Sequence, residues 1–308
     1  MGWVTFIKET FGTNGNAVKY LARYAYRTAI SNARITEVTD ETVSFRWKNY
    51  KNGGAMEEMY GYYIQLAREI CEGGSYKEGP SNEIRGELIR LGADIVGIGD
   101  LTEIPMKIRK SMRYGISVAV AINPAIIRKI AEGPTEEYFE TYLNLNNKLD
   151  EIVSRGTEFL HSKGYEAIAQ TREEVSKNES QYSTILPYKT VATRSGIGWI
   201  GICAMLVTEK YGSAIRLSAI LTNAPLEADA PVKESHCGDC KKCRDECPGK
   251  AVKGLNWSIH SNREDIFEPK KCRRAARKLC NEILNKEITL CGKCVYVCPY
   301  TQKYLQRE

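Results

Sequence analysis

Nine of the eleven cysteines lie in residues 237–308, and their spacing is the feature of this chain most able to do chemistry. Cys237, Cys240, Cys243 and Cys247, followed by Pro248, form a C-x2-C-x2-C-x3-C-P run. Three closely spaced thiolates let one loop wrap three irons of a cube, and the fourth, turned away before the proline, reaches a neighbouring cube. Cys291, Cys294 and Cys298, followed by Pro299, repeat the second half of that run. The missing first thiolate of the repeat must come from Cys272 or Cys280. The ligand count then closes at two 4Fe-4S clusters. Cys237, Cys240, Cys243 and Cys298 hold one; Cys247, Cys291, Cys294 and one upstream cysteine hold the other. A pair of zinc sites would use the thiolates but has no need of both Cys-Pro endings.

The other reactive side chains carry less. Lys241, Lys242, Arg244 and Lys250 surround the first run, where they offset the negative charge of a thiolate-ligated cluster, dock an acidic electron donor, or form a solvated basic face. His236 abuts Cys237 and is placed to hydrogen-bond a cluster or to sit at the surface beside the loop. Cys71 and Cys203 stand alone and read as small buried hydrophobes. His161 and His260 carry no signal.

These thiols need a chain that can position them. With 308 residues, 43% of them hydrophobic, the sequence can bury one sizeable core plus a satellite domain, which excludes a disordered chain. No apolar run approaches the ~20 residues of a bilayer span. The first eight residues are too short and interrupted for the apolar centre of a signal peptide, so a cytoplasmic location is expected. There 11 cysteines, mostly clustered, point to metal or redox chemistry and not to disulfide staples. The balance of 44 Lys+Arg against 38 Asp+Glu gives a formal net charge of +6, too mild to call for nucleic acid.

Three regions follow from the patterning. In residues 1–55, a helical spacing over 17–30 precedes two alternating stretches, 34–38 and 42–47, that read as a β-hairpin. Residues 56–230 alternate helix and strand: helices over 57–70, 81–91 (Ser81 as cap, Gly92 as stop) and 136–163, and strands over 93–99, 117–122 and 165–169. A Gly-rich turn over 195–201 leads to two further strands, 204–207 and 214–221, expected to be neighbours. The sum is an α/β layered domain. Residues 223–233 link it to a small α+β two-cluster domain of bacterial-ferredoxin type, residues 231–308.

Residues 189–201, with Arg194, Ser195, Gly196, Gly198, Trp199 and Gly201, followed by the cysteine run and by residues 291–304, resemble the epoxyqueuosine reductase family. Those are cobalamin-dependent iron–sulfur reductases related to reductive dehalogenases, and the resemblance covers roughly residues 80–308. It implies that Cys272, within the basic stretch Lys270, Lys271, Arg273 and Arg274, is the upstream thiolate. It also implies that Arg194 to Gly201 line a corrinoid pocket, with Gly196, Gly198 and Gly201 letting backbone approach the macrocycle. Cobalamin is thus a further expected cofactor, and a ferredoxin or flavodoxin the expected low-potential donor. Two positions depart from the family pattern. Ile202 stands where a lysine usually follows Trp-Ile-Gly, and Thr141-Tyr142 is the best match to the catalytic Asp-Tyr, with Glu137 and Glu140 nearby.

The first 54 residues resemble the late catalytic segment of two-tyrosine insertion-sequence transposases, carried by Tyr20 and Tyr24 on one helix face and by residues 27–32 and 43–50. The His-hydrophobe-His metal motif of those enzymes is absent, so a fused remnant without strand cleavage is expected. The function expected for the whole chain is an iron–sulfur oxidoreductase feeding electrons to a corrinoid site, on a small-molecule or tRNA-borne substrate. A non-catalytic electron carrier and a nucleic-acid-processing fusion are the alternatives.

Overall fold

The structure, a computed structural model, describes residues 35–38, 43–49, 55–59, 79–175, 177–178 and 183–307; for the first three segments and 177–178 it describes the backbone alone. The chain divides into two units, Met1–Glu78 and Gly79–Glu308.

In the first unit β1 (Ile35–Val38), β2 (Val43–Asn49) and β3 (Ala55–Met59) form an antiparallel sheet in that order. The expected hairpin is β1–β2, with a register shift between Ile35 and Glu37. Glu57, expected to open a helix, instead pairs with Trp47 in β3. Pairing with the free edge of β2 overrides the local helical pattern. The remainder of that expected helix, the helix over 17–30, Tyr20, Tyr24 and Cys71 lie outside the described residues.

The second unit is built on a sheet of order β4-β5-β11-β6, comprising Ile95–Asp100, Tyr114–Ala121, Ile215–Thr222 and Ala167–Ala169. Every pairing in it is antiparallel. Two short pairs accompany it: β7 (Lys177–Asn178) with β8 (Ser183–Thr184), and β9 (Trp199–Ile200) with β10 (Leu206–Val207). The 204–207 strand therefore pairs with Trp199–Ile200 and not, as expected, with its successor β11. Five residues suffice to close the β9–β10 hairpin, whereas β11 takes both its partners from the large sheet.

Strand alternation assigns the two faces. Ile116, Val118, Val120 and Ile220 pack on one side against α1 (Pro80–Arg90) and α3 (Glu136–Ser162), through Ile84, Leu88, Leu149, Ile152 and Leu160. Ala119, Ala219 and Leu221 belong to the clusters on the other side, with Val191 and Ala192 of α4 (Tyr188–Arg194). α3 opens on Thr135, whose Oγ1 accepts from the Tyr138 N–H (3.2 Å). α1 opens on Pro80, not on Ser81; the Ser81 hydroxyl, buried, accepts from the Glu227 N–H (2.7 Å).

α4 was not evident in the sequence, and its C-terminal end lies nearly in contact with the sheet. A Cβ on Gly97 would stand 2.3 Å from Ser195 O, and one on Gly99 2.7 Å from Arg194 C. Only glycine in β4 permits that approach. Residues 223–233 are stitched to the same edge: Arg85 forms a bidentate pair with Asp229 (2.7 and 2.8 Å), which also accepts from the Ile98 N–H (2.7 Å).

Five short helices occur among the described residues of the tail: α5 (Lys242–Asp245), α6 (Arg263–Ile266), α7 (Pro269–Leu284), α8 (Lys293–Tyr296) and α9 (Pro299–Leu305). α2 (Pro124–Arg128) and the start of α3 share an apolar cluster with α7, α8 and α9. Among the described residues, no helix is long and apolar enough to cross a membrane.

Candidate cluster and cofactor site

The tail folds so that several of its thiols come close together: Cys203 and Cys243 pack with Cys237, Cys247 and Cys294. Cys243 is near Cys203, Cys237 and Cys298, Cys272 is near Cys247 and Cys291, and Cys294 is near Cys203, Cys291 and Cys272. Cys240 is tied to Cys237 through its N–H to Cys237 O (3.2 Å). Members of both expected sets thus lie in one region, with Cys203 among them. Cys280 is fully buried in an apolar cluster with Ile122, Ile130 and Leu290.

Burial pushes the Cys272 thiol up to about 11, with Cys247 and Cys291 adding to the effect, and burial raises Cys291 and Cys298 as well. Yet backbone donors are aimed at these sulfurs: Ala251 N–H at Cys247 Sγ (3.3 Å), Lys293 at Cys291, and Thr301 and Tyr300 at Cys298. A buried thiol that rejects a bare negative charge but receives a backbone N–H, as Cys291 and Cys298 do, suits a thiolate whose charge is shared with bound iron.

One further donor points the same way. Trp199 is 1% exposed and packs with Cys298 and Cys237, and its Nε1–H has no acceptor among the described residues. A buried indole N–H without a partner is costly, and a cluster sulfur beside it would accept. His236 stacks on the Trp199 ring (centroids 4.5 Å) and Tyr300 meets it edge-on (4.8 Å), closing this side. Among the described residues no three or more His, Cys, Asp or Glu side chains converge on a single metal ion; a cubane holds its ligand sulfurs further apart than one tetrahedral ion does.

The glycines of the 195–201 turn face protein. A Cβ on Gly196 would stand 2.7 Å from Ala230 O, one on Gly198 2.2 Å from Val207 O, and one on Gly201 2.9 Å from the Val207 side chain and 3.4 Å from Cys237 Sγ. Ser195 is 1% exposed, and Arg194 reaches Glu103 at 3.9 Å. None of Arg194, Ser195, Gly196, Gly198, Trp199 and Gly201 borders the cavity described next.

That cavity, of about 250 Å³, opens between α3, β11 and the start of α4. Its walls include Asn146, Arg216, Tyr188, Lys189, Met205 and Leu206, and Asp150 paired with Arg172 (2.6 Å). Arg216 donates to Asn146 Oδ1 (2.9 and 3.1 Å) and lies 4.4 Å over the Tyr142 ring. The Asn146 Nδ2, buried, has no acceptor among the described residues. Lys189 donates to Ala204 O, and burial lowers its pKa from the ordinary 10.5. Glu137 pairs with Lys129 at the surface (2.6 Å), and neither it nor Glu140 borders the cavity. Sequence reasoning missed Asn146, Lys189 and Arg216. They are single polar residues at separate points of two helices and a strand, with no spacing to mark them.

Comparison with known proteins fits this arrangement. Residues 236–301 match the family "4Fe-4S double cluster binding domain", and residues 1–61 match the family "Putative transposase". The chain is 33% identical over 119 residues to the epoxyqueuosine reductase of Listeria monocytogenes, covering 36% of this chain and 29% of that protein. It is 44% identical over 64 residues to that of Bacillus subtilis, covering 21% and 16%. It thus spans about a third or less of these curated relatives' length. In fold it is similar to a catabolic reductive dehalogenase in complex with 3-bromo-4-hydroxybenzoic acid (TM-score 0.54, 17% identity, 74% of this chain and 33% of that one). A reductive dehalogenase described for B12-dependent dehalogenation scores 0.53, at 17% identity over 73% of this chain and 33% of that one. This chain therefore carries a 4Fe-4S double cluster binding domain, is similar over about a third of its length to epoxyqueuosine reductases, and begins with a transposase-like segment.

Proposed function

We propose that this chain is an iron–sulfur oxidoreductase that passes single electrons through two 4Fe-4S clusters to a corrinoid-dependent reductive site, in the manner of an epoxyqueuosine reductase. Cys237, Cys240, Cys243 and Cys298 hold one cluster, and Cys247, Cys272, Cys291 and Cys294 the other. The observation that carries the reading is the β9–β10 hairpin. Met205 and Leu206 wall the cavity, while Cys203, at the tip of the same hairpin, packs among the thiols. Electrons leaving the thiol sets have one hairpin to cross.

The clusters supply one-electron transfer, and a corrinoid supplies a low-potential metal centre for reductive cleavage. The cavity's donors fit the amide oxygens that fringe such a cofactor: Asn146 Nδ2 is a buried donor in want of an acceptor, and Arg216 stands beside it. Lys189 is the proton carrier of the cavity. Its depressed ammonium gives up a proton more readily than a surface lysine, and neither Glu137 nor Glu140 beside Thr141 borders the cavity. Thr141 itself is far too weak an acid to take the place of the catalytic carboxyl, so epoxyqueuosine in tRNA is reduced poorly or not at all and another substrate is preferred. Exposed Lys242 and Lys250 flank the first thiol set, where a low-potential ferredoxin or flavodoxin would dock.

The cavity's size favours a second reading. Cofactor pockets usually measure roughly 300–1,000 Å³, and a smaller one suits an electron carrier that binds no corrinoid. The absorption spectrum of anaerobically purified full chain tests both. A retained corrinoid supports the first reading, and failure to retain any corrinoid even after reconstitution with cobalamin supports the second. With cobalamin and a strong reductant, epoxyqueuosine-containing tRNA should turn over far more slowly than with a relative that carries the catalytic Asp-Tyr. A comparable rate would overturn the account of Thr141.

A further inference from the structure

The cavity between α3, β11 and the start of α4 carries charge that the protein does not balance. Its wall holds Arg172, Lys189 and Arg216 against a single carboxylate, Asp150, and Arg172 takes that carboxylate (2.6 Å). Arg216 and Lys189 form no ion pair among the described residues. Arg216 stands on β11, an inner strand of the large sheet, where a charged side chain is ordinarily paired. Instead its Nε and Nη2 both donate to Asn146 Oδ1 (3.1 and 2.9 Å). That oxygen is spent as an acceptor, and the other end of the amide can only donate. Asn146 is 5% exposed, and its Nδ2 has no acceptor among the described residues. A buried donor left in this state is costly unless something outside the chain accepts from it.

We infer that this cavity binds an organic carboxylate, and that the chain's substrate is a small molecule with one carboxylate on a compact apolar body. The inference rests on the reductive reading above only in calling the ligand a substrate. Arg216 keeps its charge at any depth of burial, and together with the Asn146 amide it offers more N–H groups than one amide oxygen of a corrinoid can use. A carboxylate takes such donors best, because it accepts charge-assisted hydrogen bonds through two oxygens at once. An anion in the same cavity also favours the Lys189 ammonium, which burial disfavours. A phosphate monoester brings close to two negative charges. Arg216 is the cation there that burial cannot neutralise and that no carboxylate already balances, so a single charge is the better match. Leu149, Met205, Leu206, Ile215 and Leu217 supply apolar wall and fit an aliphatic body. A volume of about 250 Å³ suits a short one.

The test is isothermal titration calorimetry on the full chain, reconstituted anaerobically, with pentanoate, pentanamide and butyl phosphate as matched probes. The corrinoid content is read first, by absorption. Pentanoate should bind at least about 10-fold tighter than pentanamide. Asn146→Asp keeps the shape of the side chain and its bonds from Arg216 but puts a negative charge where the free donor was, so it should abolish pentanoate binding. Arg216→Gln, a second variant should the first fail to fold, should weaken pentanoate by about 10-fold or more and pentanamide hardly at all. Equal binding of pentanoate and pentanamide, or binding of neither, would overturn the inference. Tighter binding of butyl phosphate would overturn the carboxylate class, and undiminished pentanoate binding by Asn146→Asp would put the anion elsewhere. Pentanoate displaced by added cobalamin would give the donors to the corrinoid and overturn the inference as well. The two readings fail separately: pentanoate bound by a chain that retains no corrinoid sustains the carboxylate site and sinks the reductive reading, and corrinoid retained without a preference for pentanoate does the converse.

Discussion

The cysteine-rich tail and the layered sheet domain place their functional groups by opposite means. In the tail, three of the four ligands proposed for one centre come from a few residues of loop, Cys237, Cys240 and Cys243, so most of that centre is written as spacing, and only its fourth member comes from the distant second run. In the sheet domain, the cavity is assembled from α3, α4 and β11, and Asn146, Lys189 and Arg216 meet only because strands and helices far apart in the chain pack together. Spacing therefore discloses the first site and is silent on the second. The Gly-rich turn marks the boundary between the two cases. Its glycines are conspicuous in the sequence and are expected to cradle a cofactor; in the fold a Cβ added at any of the three would stand within 3 Å of protein atoms, so close packing alone already asks for glycine there.

Removing a thiolate is the most severe way to break this contrast. Cys272→Ala should drop the iron content of reconstituted protein from about eight to about four, whereas Cys280→Ala should leave it at about eight. Cys280 contributes packing alone, and its loss should cost on the order of 1 kcal/mol, read as a lowered denaturation midpoint. The reverse iron result would move the ligand to Cys280 and show that the basic stretch around Cys272 misleads.

The turn glycines come next. Gly198→Ala places a Cβ 2.2 Å from Val207 O, a backbone atom that cannot swing aside, and Gly97→Ala one 2.3 Å from Ser195 O. Overpacking of this kind costs about 1–3 kcal/mol or more, so both variants should melt at lower temperature. If Gly198→Ala folded with unchanged stability but lost corrinoid, the cradle expected from the sequence would be right after all.

Legibility in the sequence follows the same division. The long helix over 136–163 and the strands at 93–99 and 117–122 declared themselves through periodicity, because each buries one continuous face. α4 did not. Seven residues from Tyr188 to Arg194 are too few for a period to emerge, and the helix is held by the glycine-lined floor of β4 and not by its own pattern. β10 was assigned the wrong neighbour because a two-residue strand has no alternation to reveal its partner. Cys203 reads as a lone hydrophobe, since nothing in the sequence states that the tip of a hairpin packs against Cys237, Cys243 and Cys294.

Lys189 sharpens the contrast through pH. Its ammonium is depressed below 10.5 by burial, opposed by Cys203 and reinforced by Arg263. Between its folded value and 10.5 the unfolded chain holds a proton that the folded chain lacks, so stability from this residue rises with pH across that window and is lost as pH falls through the folded value. Lys189→Met should therefore be more stable than wild type at neutral pH, with the advantage shrinking toward pH 10.5. A difference that stays constant with pH would mean that the ammonium is fully solvated. Loss of reductive activity in the same variant, by roughly 10²–10⁴-fold, would assign it the proton transfer.

The smallest expected effect is a control on the glycine argument. Gly86 lies in the interior of α1, and a Cβ there would find nothing within 4 Å. Glycine in a helix interior carries excess conformational freedom in the unfolded chain, and alanine at an unstrained site removes it, for a gain of about 0.4–1 kcal/mol. Gly86→Ala should thus raise the denaturation midpoint, while Gly198→Ala, the same chemical change, lowers it. The opposite signs matter more than the sizes, because backbone freedom is relieved at both positions and only one of them has an oxygen where the methyl must go. If Gly86→Ala destabilised the chain as well, the penalty at Gly198 could not be attributed to its contact with Val207, and the glycines of the turn would again be candidates for a role outside packing.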